Sequence, residues 1–243
     1  MARRRFFVPE IRRGAAELTG SDAEHLVRVL RAEVGQVYEI SDDRNVYLAE
    51  IEIARKSVVS FQVIEKLEDP PPSVHISLVA ALFKFDRFEW LVEKATELGV
   101  SAIQPFEAAR TDHGLAQASA KRLQRWEKIA LEASQQSRRA HLPVIQPTMR
   151  WQEALEVQGN VRLLLDESNK APAVLQLLPY ERSATDRVVL LVGPEGGWTE
   201  GEREQAIEAG WVSCSLGPSV LRAETAAVAA LAVVQAAWSG GRG

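Results

Sequence analysis

The chain has 243 residues, of which 46% are hydrophobic and 26% charged, with a formal net charge of −4. Such a composition is typical of a globular protein with enough apolar material for one large domain or two unequal ones. Cys214 is the single cysteine, which excludes an intramolecular disulfide and any cysteine-based zinc or iron–sulfur site.

The first third of the chain has short, strand-like runs of alternating residues. They predict strands at Val37–Ile40, Val46–Ile51 and Val58–Ile64, with one helix between Ser21 and Arg31. Three successive prolines, 70–72, remove backbone donors and favour a stiff, extended connector. We therefore predict a small β-rich domain at 1–70 and a second domain at 74–243.

In the second domain, predicted strands and helices alternate. The strands are Val74–Leu82, Ser101–Phe106, Val161–Leu165, Val188–Val192 and Val212–Leu216. The helices are Asp86–Leu98, Lys121–Arg138, one opened by the capping box of Thr199 and Glu202 and closed at Gly210, and Glu224–Trp238. In the first of these helices, helical spacing predicts a core-facing stripe of Trp90, Leu91, Ala95 and Leu98. The alternation predicts an α/β fold with a parallel sheet, in which ligands bind beyond the carboxyl ends of the strands.

Two segments bear on localisation. The basic N-terminus is interrupted by Pro9, Glu10 and Arg12 before any apolar stretch, unlike a signal peptide. Residues 225–241 are uncharged, but they are mostly alanine and shorter than the roughly 20 strongly apolar residues of a membrane span. We expect a buried helix there, no membrane association and a cytoplasmic protein.

Two loops at the predicted ligand edge carry the chemistry. Gly193-Pro194-Glu195-Gly196-Gly197, here called the glycine loop, follows one apolar strand. Its small residues allow a ligand to approach the backbone, although a plain strand-to-helix turn fits equally well. Residues 216–222, here called the C-terminal loop, follow the next strand and lead into the last helix. Arg222 and Glu224 at that junction could be a surface pair, a capping arrangement or part of a site.

Read together, the two loops resemble the RsmE family of SPOUT methyltransferases. The resemblance rests on Gly-Pro-Glu-Gly-Gly and on Leu-Gly-Pro followed by Leu-Arg-Ala-Glu-Thr-Ala, and it covers essentially the whole chain. It extends to Arg5-Phe6-Phe7-Val8, the segment 25–31, Lys84, the segment 93–100 and Arg110. Departures include Ser219 where the family usually has arginine, and Arg138 where it usually has glycine.

The resemblance implies the fold, the reaction and the partners. It implies a SPOUT sheet whose C-terminal segment forms a trefoil knot, preceded by a PUA-like barrel domain that binds RNA. It also implies a homodimer that transfers a methyl group from S-adenosylmethionine to N3 of a uridine in the 16S rRNA of the small ribosomal subunit, without a metal. The implied donor-binding positions are Leu165, Val192, Gly193, Gly197, Leu216, Gly217, Leu221 and Arg222.

The reaction requires that the uracil N3 proton leaves and that the negative charge developing on the ring is stabilised. We expect Arg222 to stabilise that charge, because a guanidinium stays charged and can grip two acceptors. Glu224 is the second expected catalytic residue, and Glu224 or Glu195 could accept the proton or orient Arg222. Basic clusters near the N-terminus and at 121–141 are expected to grip phosphates. The expected RNA-binding residues are Arg3, Arg4, Arg5, Arg28, Arg31 and Arg139.

Three other functions stay open at this point. Another SPOUT methyltransferase would act on a different RNA atom, such as a ribose 2′-oxygen. A ribosome-binding module that has lost catalysis would keep the fold and would not transfer a methyl group. A nucleotide-hydrolysing enzyme is disfavoured because the glycine loop lacks the Gly-Lys-Ser/Thr ending of a P-loop.

Overall fold

The computed structural model of the protein describes residues 5–167 and 171–240. These residues form two compact units. The first comprises residues 5–70 together with 134–142, and the second comprises 71–133 together with the described residues from 143 onward. The sequence gives no sign that 134–142 would join the first unit.

Within the described residues, the first unit carries a six-stranded sheet and one helix. The strands are β1 (Arg5–Phe7), β2 (Ile11–Arg12), β3 (Ala15–Thr19), β4 (Val37–Ser41), β5 (Val46–Arg55) and β6 (Val58–Leu67), and the helix is α1 (Gly20–Arg28). The strand order is β1-β4-β5-β6-β3-β2, with β1 parallel to β4 and the other neighbours antiparallel. The three predicted strands are present as β4, β5 and β6, whereas β1, β2 and β3 were not predicted. Arg12, Arg13 and Gly14 interrupt the apolar pattern across β2 and β3.

A buried carboxylate lies inside the first unit. Glu39 in β4 is 7% exposed, and its Oε2 accepts hydrogen bonds from Nε and Nη2 of Arg5 at 3.1 and 2.9 Å. Its other oxygen accepts from Arg138. Nearby, Ser41 Oγ donates to the carbonyl oxygen of Ala140 at 2.7 Å. These bonds hold residues 134–142 to the sheet.

In the described part of the second unit, a seven-stranded sheet is surrounded by helices. The strands are β7 (His75–Ala81), β8 (Ala102–Glu107), β9 (Val144–Ile145), β10 (Met149–Arg150), β11 (Val161–Leu165), β12 (Arg187–Val192) and β13 (Val212–Cys214). The helices are α2 (Phe85–Glu97), α3 (Leu115–Ser119), α4 (Leu123–Gln136, of which 134–136 belong to the first unit), α5 (Trp151–Leu155), α6 (Val174–Leu177), α7 (Glu200–Glu208) and α8 (Ala223–Ser239). A 3-10 turn, Ala120–Arg122, leads into α4.

This sheet is parallel, as predicted, with the order β10-β8-β7-β12-β11-β13 and with β9 also paired to β8. Its strands are buried on both faces, which explains their continuous apolar runs. Leu190 faces the core shared with α2 and α8, whereas the next residue, Leu191, packs with Trp198 and Trp211 on the opposite face. Because β11, β12 and β13 are neighbours, the loops that follow them converge at one edge.

The capping box predicted at Thr199 is confirmed. Thr199 Oγ1 accepts from the backbone N–H of Glu202 at 3.2 Å, and the backbone N–H of Thr199 donates to the Glu202 carboxylate at 2.9 Å. Helix α7 therefore begins directly after the glycine loop. Among the described residues, none of the helices has the length and apolar character that crossing a membrane requires.

Two sequence predictions are wrong in detail. Trp90 is 43% exposed and does not face the core, because the buried face of α2 is formed by Phe88, Leu91, Val92 and Ala95. Strand β13 ends at Cys214 and not at Leu216, because the chain turns there and Ser215 Oγ accepts from the backbone N–H of Gly217 at 3.1 Å.

Candidate functional site

A cavity of about 350 Å³ lies at the carboxyl edge of the parallel sheet in the second unit. It is enclosed by the ends of β11 and β12, the glycine loop and the C-terminal loop. All the donor-binding positions expected from the sequence line it: Leu165, Val192, Gly193, Gly197, Leu216, Gly217, Leu221 and Arg222. The fold therefore brings together residues that are up to 57 positions apart, although their role in binding stays a prediction.

Close packing explains why glycine occupies position 193. A Cβ atom there would lie 2.8 Å from Cε2 of Trp198, a distance that real Cβ contacts essentially never show. The indole of Trp198 is 3% exposed and donates its Nε1 hydrogen to the carbonyl oxygen of Leu165 at 2.8 Å. This hydrogen bond joins the glycine loop to the end of β11, so the two walls of the cavity are fixed to each other.

Gly197 meets a conformational requirement. Its φ of +70° lies in the left-handed region, which side chains rarely adopt, whereas the atom nearest to an added Cβ, at 2.8 Å, is only the movable Oε1 of Glu167. Its backbone N–H donates to the carbonyl oxygen of Pro194 at 2.9 Å, which closes the loop into a tight turn. The turn reading of the glycine loop is therefore confirmed, whereas the approach of a ligand to its backbone stays a prediction.

Two arginines that the sequence analysis did not assign to the site donate hydrogen bonds to the glycine loop. Arg110 donates to the carbonyl oxygen of Gly196 at 2.8 Å. Arg87, in the first turn of α2, donates to the carboxylate of Glu195 and lines the cavity. Arg87 lies shortly after the carboxyl end of β7, a strand of the same sheet. Because ligands of parallel sheets bind at that end of the strands, this rule could have identified Arg87 from the sequence.

Arg222 and Glu224 lie at the junction between the C-terminal loop and α8. Arg222 is exposed and lines the cavity, and its carbonyl oxygen accepts from the backbone N–H of Ala226 at 2.8 Å. Glu224 is 8% exposed, and the structure shows no ion pair between it and Arg222. Among the described residues, Arg87 pairs with Glu224, its Nε lying 4.0 Å from Oε1.

Acidic groups form the wall beside β11. Asp166 is buried and accepts from Nε of Arg203 at 3.1 Å, and Glu167 beside it is half-exposed to the cavity. Burial raises the pKa of the Cys214 thiol to about 12, with a smaller contribution from the negative charge of Asp166. The thiol is therefore protonated at neutral pH and serves as an apolar part of the wall.

The expected RNA-binding arginines have different surroundings. Arg3 and Arg4 lie outside the described residues. Arg28 pairs with Glu24 at 2.7 Å on the surface of α1, and Arg31 is exposed with a φ of +52°. Arg139 donates to the carbonyl oxygen of His141, and burial lowers the pKa of its guanidinium to about 10.

One of these expectations needs correction. The side chain of Arg5 is only 12% exposed and its guanidinium is bonded to Glu39, so it is not a free phosphate-binding group. In the second basic cluster, Arg122 and Arg125 both pair with Glu89. Their positive charge is thereby partly neutralised. Counting basic residues along the sequence therefore overstates the positive charge available to bind RNA.

Comparisons with known proteins identify the family. Residues 70–235 match the RNA methyltransferase domain, and residues 18–62 match the RNA methyltransferase PUA domain. Ribosomal RNA small subunit methyltransferase E of Bacillus subtilis is 34% identical over 229 residues, which is 89% of this chain and 88% of that protein. The chain belongs to the ribosomal RNA small subunit methyltransferase E family. The family member from Synechocystis is 33% identical and covers 97% of this chain and 78% of its own length.

A solved structure of a methyltransferase E supports the same assignment. The Neisseria gonorrhoeae enzyme, bound to S-adenosyl methionine, superimposes with a TM-score of 0.86 at 31% identity, over 98% of each chain. The predicted family resemblance is thus confirmed, as is the parallel α/β fold with a PUA-like domain. In the present chain, the PUA match falls within residues 5–70 of the first unit.

Proposed function

We propose that the chain transfers a methyl group from S-adenosylmethionine to N3 of a uridine in the 16S rRNA of the small ribosomal subunit. The observation that carries the proposal is a cavity that gathers the donor-binding positions expected of this family at one edge of the sheet. We further propose that 1–70 is an RNA-binding barrel and 74–243 the catalytic domain, with its C-terminal segment knotted. The proposal includes a homodimer that works in the cytoplasm.

The cavity suits the methyl donor in size and chemistry. Its volume of about 350 Å³ falls in the range of small-molecule sites, roughly 300–1,000 Å³. Leu165, Val192 and Leu216 offer apolar surface for an adenine ring. Glu167, half-exposed and 4.0 Å from Nη2 of Arg203, adds negative charge to the wall. When bound, S-adenosylmethionine supplies an electrophilic methyl group on a positively charged sulfur.

The protein must then stabilise a uracil ring that loses its N3 proton. Arg222 is exposed to the cavity and has no competing ion pair among the described residues, so we assign charge stabilisation to it. Of the two carboxylates, Glu195 lines the cavity, whereas Oε2 of Glu224 is buried without a hydrogen-bond partner in the described chain. We therefore assign proton acceptance to Glu195, and to Glu224 the orientation of the turn that carries Arg222.

The decisive experiment uses purified small ribosomal subunits and donor labelled in its methyl group, followed by nucleoside analysis. Labelled N3-methyluridine is expected. Label on a ribose oxygen would assign the chain to a different methyltransferase reaction, and donor binding without turnover would favour a non-catalytic ribosome-binding module.

A variant pair tests the role of Arg222. Arg222→Ala is expected to reduce the transfer rate by about 10²–10³-fold, the usual cost of losing one charge-stabilising group. Arg187→Ala is the matched control, because Arg187 is exposed at the amino end of β12, the end opposite the cavity. If both variants transfer methyl groups at the rate of the unmodified protein, Arg222 does not stabilise the developing charge.

A further inference from the structure

Arg87 joins two parts of the site that are distant in sequence. It lies in the first turn of α2, and its side chain is one-third exposed where it lines the cavity. Its Nη1 donates to Oε1 of Glu195, 108 residues away in the glycine loop. Its Nε lies 4.0 Å from Oε1 of Glu224, at the start of α8. One guanidinium therefore contacts the loop before α7 and the first turn of the last helix.

The two carboxylates do not have equivalent surroundings. The side chain of Glu195 is 30% exposed, so both water and the hydrogen bond from Arg87 stabilise its negative charge. The Glu224 side chain is 10% exposed, and no donor in the described residues reaches its Oε2. A buried carboxylate without a nearby cation is strongly unfavourable. Arg87 is the described cation that offsets the charge of Glu224.

Fixing Glu224 also fixes Arg222. The two residues are separated by Ala223 alone, and the carbonyl oxygen of Arg222 is already bonded to the first turn of α8. A contact that holds the Glu224 side chain against α2 therefore limits movement of the turn that presents Arg222 to the cavity. On the other side, the same guanidinium holds Glu195 and with it the glycine loop.

We propose that Arg87 is a positioning residue that sets the distance between the glycine loop and the turn carrying Arg222, through Glu195 and Glu224 respectively. The inference rests on the proposed function, in which the glycine loop holds the donor and Arg222 faces the acceptor base. Methyl transfer requires the two substrates in line, and a misplacement of about 1 Å can cost about 10²-fold in rate. A residue that touches both walls is suited to control that alignment.

The test separates donor binding from transfer. Donor affinity is measured by calorimetry without RNA, and the single-turnover transfer rate is measured at saturating donor with small ribosomal subunits. Arg87→Ala is expected to weaken donor binding, because Glu195 loses its anchor, and also to slow transfer at saturating donor by roughly 10–100-fold. Arg187→Ala is again the matched control, since it removes an exposed arginine at the amino end of β12, opposite the cavity, and should change neither value.

A double-mutant cycle tests the path through Glu224. If Arg87 acts on Arg222 through Glu224, Glu224→Gln slows transfer at saturating donor, and Arg87→Ala adds little to that loss. Arg87→Lys should recover only part of the rate, because one ammonium cannot bridge two carboxylates as a guanidinium fork does. A purely structural role would instead lower the melting temperature in proportion to the loss of rate.

Each outcome decides the matter. If the unmodified protein produces no N3-methyluridine, the proposed function fails, and the donor-affinity measurements still test the anchoring of Glu195. If the unmodified protein is active and Arg87→Ala transfers at its normal rate, the positioning role is overturned. Strictly additive losses in the cycle overturn the path through Glu224. Should Arg87→Ala not fold, Arg87→Lys and Glu224→Gln, which change the side chains less, carry the same comparison.

Discussion

The substitution Gly193→Ala is expected to destabilise the protein and weaken donor binding together. The added Cβ would lie 2.8 Å from Cε2 and 3.1 Å from Nε1 of Trp198, whereas two carbon atoms pack best at about 3.5–4.0 Å. The indole cannot retreat, because it is bonded to Leu165 and stacked on Phe106 with ring planes 10° apart. The glycine loop must therefore move.

The size of the effect follows from that clash. Overpacking a buried site by one carbon costs about 1–3 kcal/mol, and each kcal/mol lowers the melting temperature of a protein of this length by about 2–4 °C. The melting temperature should thus fall by roughly 2–12 °C. If the displaced loop loses one or two hydrogen bonds to the donor, the Kd should rise about tenfold.

The assay pairs thermal unfolding with calorimetric titration of S-adenosylmethionine. Gly201→Ala is the matched control, because no described atom lies within 4 Å of the new Cβ and alanine favours the helix α7 in which it lies. That variant should melt at the same or a slightly higher temperature and bind the donor normally. A Gly193→Ala protein with unchanged melting temperature and Kd would refute the reasoning, because it would mean that the loop absorbs the methyl group freely.

Two further predictions concern buried groups. Glu39→Ala should lower the free energy of unfolding by roughly 3 kcal/mol in chemical denaturation, because it leaves the Arg5 guanidinium buried without its carboxylate. Glu10→Ala, the control, removes a surface partner of Arg12 and should lower the free energy of unfolding by less than about 1 kcal/mol. Equal losses of this free energy in the two variants would show that Glu39 is not stabilising. Cys214 should resist alkylation at pH 8 in the folded protein and react once the protein is unfolded. Burial raises the pKa of its thiol to about 12, so the thiol stays protonated at pH 8. Rapid labelling of the folded protein would contradict this.

The sequence predicted the parallel sheet and the cavity wall because both depend on local patterns. The run 161–165 was predicted to the residue as a strand, since a strand buried on both faces has a continuous apolar sequence. The capping box at Thr199 is a four-residue pattern with its own hydrogen bonds. The family resemblance then supplied the ligand, which the loop patterns alone did not.

Long-range ion pairs escaped the sequence because no local pattern encodes them. Arg87 contacts Glu195 across 108 residues, and Arg138 contacts Glu39 across 99. Arg5 lies in a run of basic residues typical of RNA contact, yet its carboxylate partner lies 34 residues away in β4. Charge runs reveal where cations are in the sequence, but only the fold reveals which of them are already neutralised.

The strand order has a consequence for synthesis on the ribosome. Strand β12 lies between β7 and β11 but follows both of them in sequence, so the middle of the sheet is filled by a segment made late. At a synthesis rate of about 5–20 residues per second, the edge of β7 stays without its parallel neighbour β12 for roughly 5–20 s. That edge is strongly apolar, with Ile76, Leu78 and Val79, and an unpaired apolar edge invites pairing with other chains. We therefore expect the nascent protein to be prone to aggregation until residues 187–192 have emerged and docked.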